Sequence, residues 1–287
     1  MGALLDGQSE VTAAPVCTLE VSDRPLPVPD RDPDEASDVL RAWWGGSDLA
    51  LDHSSGLRAV ADARDARIGG DTDRLRVPFR YLFQPLITHV LAHRDRFVVH
   101  AAAMATDEGA FLVLGETGSG KSTLALAALR QGWQVLGDDL VVIRPGDGAG
   151  PPEVTGIRRP LAVPADVLGE VGDARMMAGD PRSRAELPLA HLTTGWWPVR
   201  GLLLVGHGSA PGGGLLDVPG VDAFRVVVGS YYAASNPPLL RRFFRHAAAL
   251  SRVPAWRFEL ASDPAGRLVA AGRHLDAAAR RGGTDPT

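Results

Sequence analysis

The chain has 287 residues, 45% hydrophobic and 22% charged, with a formal net charge of -4; that is enough apolar material for a sizeable core and no basic field of the kind nucleic acid requires. Its single cysteine, Cys17, excludes an intrachain disulfide framework and any thiolate metal cluster, and fits a reducing compartment. No apolar run approaches membrane-spanning length and no basic-then-apolar leader opens the sequence, so a cytoplasmic protein with neither a membrane nor a nucleic-acid partner is expected.

Residues 1–33 are rich in Pro and Asp, with Pro25, Pro27, Pro29 and Pro33 interrupting any ladder, and read as an irregular lead-in with one short strand near Val16–Val21. Asp34 to Trp44 reads as a short helix ended by Gly45-Gly46, with acids in its first turn and Val39, Leu40 and Trp43 on one face. Gly56 to Pro78 resembles a small β-rich meander. From Arg80 to His93 the positions Leu82, Leu86, Ile87, Val90 and Leu91 recur at helical spacing. Phe97–Ala105 and Phe111–Leu114 are apolar runs separated by Thr106-Asp107-Glu108-Gly109, which predicts a β-hairpin. The second run therefore gains an antiparallel neighbour, with His100 on that neighbour toward the end at which the second run finishes.

The second run leads directly into Gly115-Glu116-Thr117-Gly118-Ser119-Gly120-Lys121-Ser122, and Ser122-Thr123-Leu124-Ala125-Leu126-Ala127 then opens a helix. Strand, glycine-rich loop and helix in that order are the context a Walker A phosphate loop needs. Glycines let the loop turn back with its N–H groups inward, making an anion site at a helix N-terminus. Gly115 to Thr123 are the expected nucleotide-binding residues, with Lys121 reaching the β- and γ-phosphates and Ser122 offering its hydroxyl to Mg²⁺. The expected ligand is a nucleoside triphosphate, read as ATP. After the helix, with Gly132 at its C-terminal end, Gln134–Gly137 leads to Asp138-Asp139 and the strand Leu140–Ile143. Two adjacent carboxylates between apolar runs are costly to bury unless positive charge meets them. A magnesium triphosphate supplies that charge, and phosphoryl transfer needs both a metal-side acid and a carboxylate for the attacking hydroxyl.

Beyond this core, Arg158 and Arg159 follow a short strand and are candidate phosphate clamps. Gly172 to Glu186 has many charges and no periodicity and reads as a loop that could cover the site. Gly201–Val205 and Phe224–Val228 read as core strands separated by a turn at Ser209–Gly214. Leu239 to Val253 reads as an amphipathic helix with Leu240, Phe243, Phe244, Ala247 and Leu250 inward and Arg241, Arg242, Arg245 and Arg252 outward. Ala255–Leu260 closes the sheet, Pro264–Arg280 is a last helix and 282–287 a frayed tail.

His100-Ala101-Ala102-Ala103, the glycine-rich loop and Gly132-Trp133-Gln134-Val135-Leu136-Gly137-Asp138-Asp139 together resemble the core of the HPr kinase/phosphorylase family, and more closely the HPr-kinase-related proteins of bacterial peptide-modification systems such as the lasso-peptide kinases. The match covers His100 to Ile143. It implies an α/β P-loop fold of the HPr kinase and phosphoenolpyruvate-carboxykinase-like type, a mixed sheet with an antiparallel strand beside the Walker strand. It implies a kinase that uses ATP and Mg²⁺ to phosphorylate a serine or other hydroxyl, with a peptide or protein as partner. Carried over residue by residue, Asp138 is the base, His100 and Lys121 are its catalytic companions, and Asp139 joins Ser122 at the metal. The downstream Glu-x-Arg-Gly-x-Gly-Ile-like signature of HPr kinases has only a loose echo, at Glu153 to Arg159, so the resemblance does not identify HPr as the acceptor. The expected organisation is an N-terminal α+β segment (1–95), a kinase core (96–281) and a tail (282–287), with homo-oligomerisation left open. The alternative reading is a nucleotide-binding regulatory module that controls a partner and phosphorylates nothing.

Overall fold

The computed structural model describes residues 18–75, 79–148, 150–157, 159–168, 174–177, 184–207, 215–231, 236–260 and 264–282. Arg158, Cys17, the 209–214 turn, most of 172–183 and the tail from 283 lie outside them. The architecture is mixed α/β with mixed sheets. The chain divides into two compact units, one made of 1–97 with 232–243 and the other of 98–231 with 244–287.

The first unit holds β1 (Leu19–Ser22), β2 (Glu35–Ala36), β3 (Leu40–Gly45), β4 (Asp48–His53), β5 (Arg58–Ala61), β6 (Ala66–Gly69) and α1 (Phe79–Ala92). Its six-stranded sheet runs β1-β6-β5-β4-β3-β2, antiparallel throughout except for the β1–β6 pair. Leu82, Leu86 and Val90 of α1 bury against Leu49, Leu51, Ala59 and Ile68 of the sheet. Here the helix expected over 34–44 is corrected: these residues form β2 and β3. The acids that imitate a helix start do other work, because Asp34 accepts the Trp44 N–H at 2.6 Å and pairs with Arg31 at 2.7 Å. Trp43 faces Ala50 across the ladder and is buried. The glycine pair ends a strand, and Gly46 takes φ 61 in the two-residue turn to β4, the position such hairpins give to glycine.

The second unit is built on a nine-stranded sheet with β7 (Phe97–Val99), β8 (Ala102–Thr106), β9 (Gly109–Leu114), β10 (Gln134–Gly137), β11 (Val141–Arg144), β12 (Glu153–Gly156), β16 (Trp197–His207), β17 (Leu216–Asp217) and β18 (Ala255–Leu260). β9 has β8 antiparallel on one side and the long β16 parallel on the other. The far edge of β16 carries β12 at its start and then β18 in parallel register. Helices α2 (Lys121–Arg130) and α6 (Pro264–Gly282) pack together over this sheet, with Leu124, Ala128, Leu275 and Ala278 fully buried. A separate three-stranded sheet is formed by β13 (Leu161–Pro164), β14 (Arg175–Met176) and β15 (Arg184–Leu187), with α3 (Ala165–Leu168) after β13. The described ends of the expected 172–186 loop are therefore strands.

The expected strand at Phe224–Val228 is also corrected. Those residues lie in α4 (Gly220–Gly229), where Ala223 and Val227, one turn apart, are the buried pair; helical spacing against the core overrides the β preference of a valine run. The division between units falls within α5 (Pro237–Leu250), whose Leu239, Phe243, Ala247 and Leu250 are buried. Phe244, expected inward, is 39% exposed and packs its ring 6.3 Å from Phe224.

Gly156 of β12 lies so near β10 that a methyl group on it would stand 1.8 Å from the Leu136 carbonyl oxygen. Gly156→Ala is expected to destabilise the protein by about 3 kcal/mol, whereas Gly229→Ala, at a helical position with nothing within 4 Å, should stabilise it by about 0.5–1 kcal/mol. Urea unfolding midpoints of the two variants against the parent check both signs.

Candidate functional site

The loop 115–120 fills the interval between β9 and α2. Gly118 and Gly120 hold φ 87 and 106, and a methyl group on Gly120 would stand 2.3 Å from Leu260 Cδ1. Only glycine fits the second of these on both counts. Gly120 also caps α2 without any side-chain hydrogen bond, which leaves first-turn N–H groups for an anion. Glu116, Thr117 and Gly118 are exposed at the loop apex, Gly115 is half-buried, and Ser119 and Thr123 are buried. Ser119 Oγ is a buried hydroxyl that finds no hydrogen-bond partner among the described residues.

Lys121 and Ser122 open α2. The Lys121 ammonium donates to the carbonyls of Gly115 at 2.8 Å and Glu116 at 3.0 Å. Burial pushes its pKa down, and the charges of Asp138 and Asp139 work the other way. Ser122 Oγ donates to Asp138 Oδ2 at 2.6 Å. The loop thus rests directly on the first carboxylate of the doublet.

Asp138 is buried, and burial is the main cause that raises its carboxyl above the ordinary carboxylate range; Asp139 adds to this, while the Ser122 hydrogen bond and Lys121 oppose it. The close approach of β12 through Gly156, whose methyl would also meet Gly137 Cα at 2.8 Å, helps shut water out of this turn. Neither glycine stands out in the sequence as a site residue, because its effect is on packing alone.

Asp139 differs in every respect. It sits at φ 70, enclosed by a hydrogen bond of 2.9 Å from the Leu140 N–H to the Asp138 carbonyl. That is a three-residue γ-turn, strained for any residue with a side chain. Its carboxylate is 43% exposed, with Oδ1 2.9 Å from His100 Nδ1 and Oδ2 2.8 Å from Arg159 Nη1. His100 Nδ1 also lies 3.1 Å from the Asp139 carbonyl oxygen. Both partners are acceptors, so Nδ1 carries the proton. His100 itself stands between β7 and β8 and not on the strand expected for it, because its N–H leaves the ladder to donate to Ser230 O at 2.6 Å.

The structure therefore gathers Ser122, Lys121, Asp138, Asp139, His100 and Arg159. Arg159 meets a carboxylate, a contact that its position after a strand does not signal. Among the described residues no group of three His, Cys, Asp or Glu side chains gathers as a metal site. The Ser122 hydroxyl and the buried Asp138 carboxylate nevertheless suit Mg²⁺: they are hard oxygen donors, and the carboxylate lacks positive charge where burial has raised its pKa. Two hollows of about 280 and 540 Å³ are lined by residues of the first unit, none of them from the loop. No helix among the described residues is long and apolar enough to cross a membrane.

No protein-family model and no curated protein matches the chain. A solved structure described as the Hpr(Ser) kinase/phosphatase from Coxiella burnetii aligns over 64% of this chain and 98% of its own, at 14% identity and a TM-score of 0.33. A superposition that loose carries nothing about activity.

A carboxyl whose pKa is raised by folding stabilises the fold while it is protonated, and that contribution is lost as pH rises from the unfolded value near 3.8 through the folded one. Asp138→Asn is therefore expected to raise the melting temperature in metal-free buffer at neutral pH by several degrees, and to lose this advantage below about pH 3.8. Calorimetric melting of both proteins across that range checks it.

Proposed function

We propose that the chain is a Mg²⁺-dependent kinase that moves the γ-phosphoryl group of ATP to a serine hydroxyl, on a peptide or protein of a bacterial peptide-modification pathway. The observation that carries this reading is the division of the carboxylate pair: Asp138 is buried on Ser122 Oγ at 2.6 Å, while the next residue, Asp139, is half-exposed and held by His100. A nucleotide-binding module needs the first carboxylate and has no use for the second.

The resemblance gives Asp138 the part of base and Asp139 that of metal ligand. The geometry supports the opposite division, which we adopt. Asp138 shares its position with the loop serine and has no access to an acceptor, so it and Ser122 would hold Mg²⁺. Mg²⁺ held by these two residues would supply positive charge to the phosphates. Lys121, now on the carbonyls of Gly115 and Glu116, turns its ammonium to the phosphate oxygens, and the first-turn amides of α2 bind the same group. Asp139 faces outward and takes the proton of the acceptor hydroxyl. His100 holds its Nδ1–H on Asp139 and so fixes the carboxylate. The hydroxyl oxygen bonds to the γ-phosphorus as the bond to the β,γ-bridging oxygen breaks; the proton rests on Asp139 and ADP leaves.

Asp139→Asn should lower single-turnover transfer by about 10²–10⁴-fold, the range of a lost general base, with Mg²⁺-dependent ATP binding no weaker than in the parent. Asp138→Asn and Ser122→Ala should weaken ATP binding in the presence of Mg²⁺ and leave metal-free binding largely intact. Titration calorimetry with and without Mg²⁺, beside transfer of labelled phosphate to a serine peptide, separates these outcomes. Exchanged phenotypes would restore the division implied by the resemblance. Full transfer by both Asp variants would remove the pair from catalysis, and no transfer by a parent that binds ATP would remove the kinase reading and leave a nucleotide-binding module.

A further inference from the structure

Asp139 cannot act as a base in the arrangement seen. Both of its oxygens are engaged, Oδ1 by His100 at 2.9 Å and Oδ2 by Arg159 at 2.8 Å, so an acceptor hydroxyl would meet a carboxylate already occupied by a donor on each side. One partner has to withdraw before an acceptor hydroxyl can approach. His100 is tethered: its backbone N–H is bound to Ser230 O at 2.6 Å, its Nδ1 also lies 3.1 Å from the Asp139 carbonyl oxygen, and its side chain is 19% exposed. Arg159 projects from the short connection between β12 and β13 with its side chain 46% exposed. An ion pair open to water to this extent is weak and readily exchanged.

We infer that Arg159 is a sensor of the γ-phosphate: it occupies Asp139 in the empty protein and moves to the terminal phosphate when a nucleoside triphosphate binds, freeing the carboxylate for the acceptor. The inference rests on the kinase reading above. The exchange partner is close at hand, since Asp139 adjoins Asp138 and Asp138 holds Ser122 at 2.6 Å. A γ-phosphate presents more charge than a single carboxylate, and a guanidinium can bind a phosphate through two parallel hydrogen bonds. A diphosphate places no phosphate at the γ position, so it leaves Arg159 on Asp139. The base is thereby exposed only when there is a phosphoryl group to transfer.

The test is Mg²⁺-dependent calorimetric binding of two nucleotides that cannot be turned over, ADP and the triphosphate analogue with an imido β,γ bridge. Arg159→Gln should weaken the analogue by about tenfold or more, the size of one charge-assisted hydrogen bond, and change ADP by less than about twofold. Asp139→Asn should tighten the analogue severalfold in the parent, because the competing partner is gone, and should not tighten it when Arg159 is already Gln. Asn accepts the positive φ of position 139, and melting curves confirm that each variant is folded. Equal tightening by Asp139→Asn in both backgrounds would be plain charge removal and would overturn the sensor, as would equal weakening of both nucleotides, or of neither, by Arg159→Gln. Failure of the parent to bind the analogue at all would instead strike the nucleotide reading itself.

Discussion

The hydrogen bond of 2.6 Å from Ser122 Oγ to Asp138 ties the first turn of α2 to the turn that follows β10, and the rest of the site depends on that junction. For it to form, the loop must turn back through Gly118 and Gly120 at positive φ, and β12 must come close enough to β10 that Gly156 has no room for a methyl group. The consequence is a carboxylate shut away from water with a hydroxyl and the buried Lys121 for company. Burial raises its pKa, so the folded protein holds an unmet demand for positive charge at the one place where a metal-bound phosphate would supply it. If Asp138 holds the metal as proposed, stability and ligand binding are opposed there.

The neighbouring residue resolves a problem that the doublet creates. Two adjacent carboxylates in one environment would repel each other and titrate as a pair. The γ-turn at Asp139 sends the second one outward, at a strain cost of roughly 1–3 kcal/mol, into contact with His100 and Arg159. Two environments give two acids of different character, which is how one fold assigns different roles to like groups.

Much of this centre was legible because its signals are local. The apolar run 111–114, the glycines, Lys121-Ser122 and the doublet occupy a short stretch of chain, and each has a physical meaning at its own position. The meeting of His100 with Asp139 could be approached only through hairpin register, and the departure of His100 from the ladder to Ser230 leaves no trace in side-chain types. Asp34, Glu35 and Asp38 imitate the first turn of a helix, and pairing with 48–53 decides for a strand. Val226-Val227-Val228 imitates a strand, and burial of Ala223 and Val227 decides for a helix. The grouping of 232–243 with the first unit had no signal in composition, since it depends on contacts between segments far apart in the chain. Arg159 was visible as a cation near the site, but its partner was set by the turn at Asp139.

The lean of Gly120 on Leu260 has a consequence for how the protein comes into being. A methyl group on Gly115 would stand 2.5 Å from the Val205 carbonyl oxygen, and one on Gly120 would stand 2.3 Å from Leu260, so the wall behind the loop belongs to β16 and β18. During synthesis from the N-terminus, residues 115–122 leave the ribosome long before 255–260 do. A nascent chain paused between those points carries every residue of the loop and lacks the β18 part of the surface that shapes it. On the function proposed above, a nucleotide in the surrounding solution would then have nothing to hold until β18 docks, and its binding would stabilise only chains that have reached that stage.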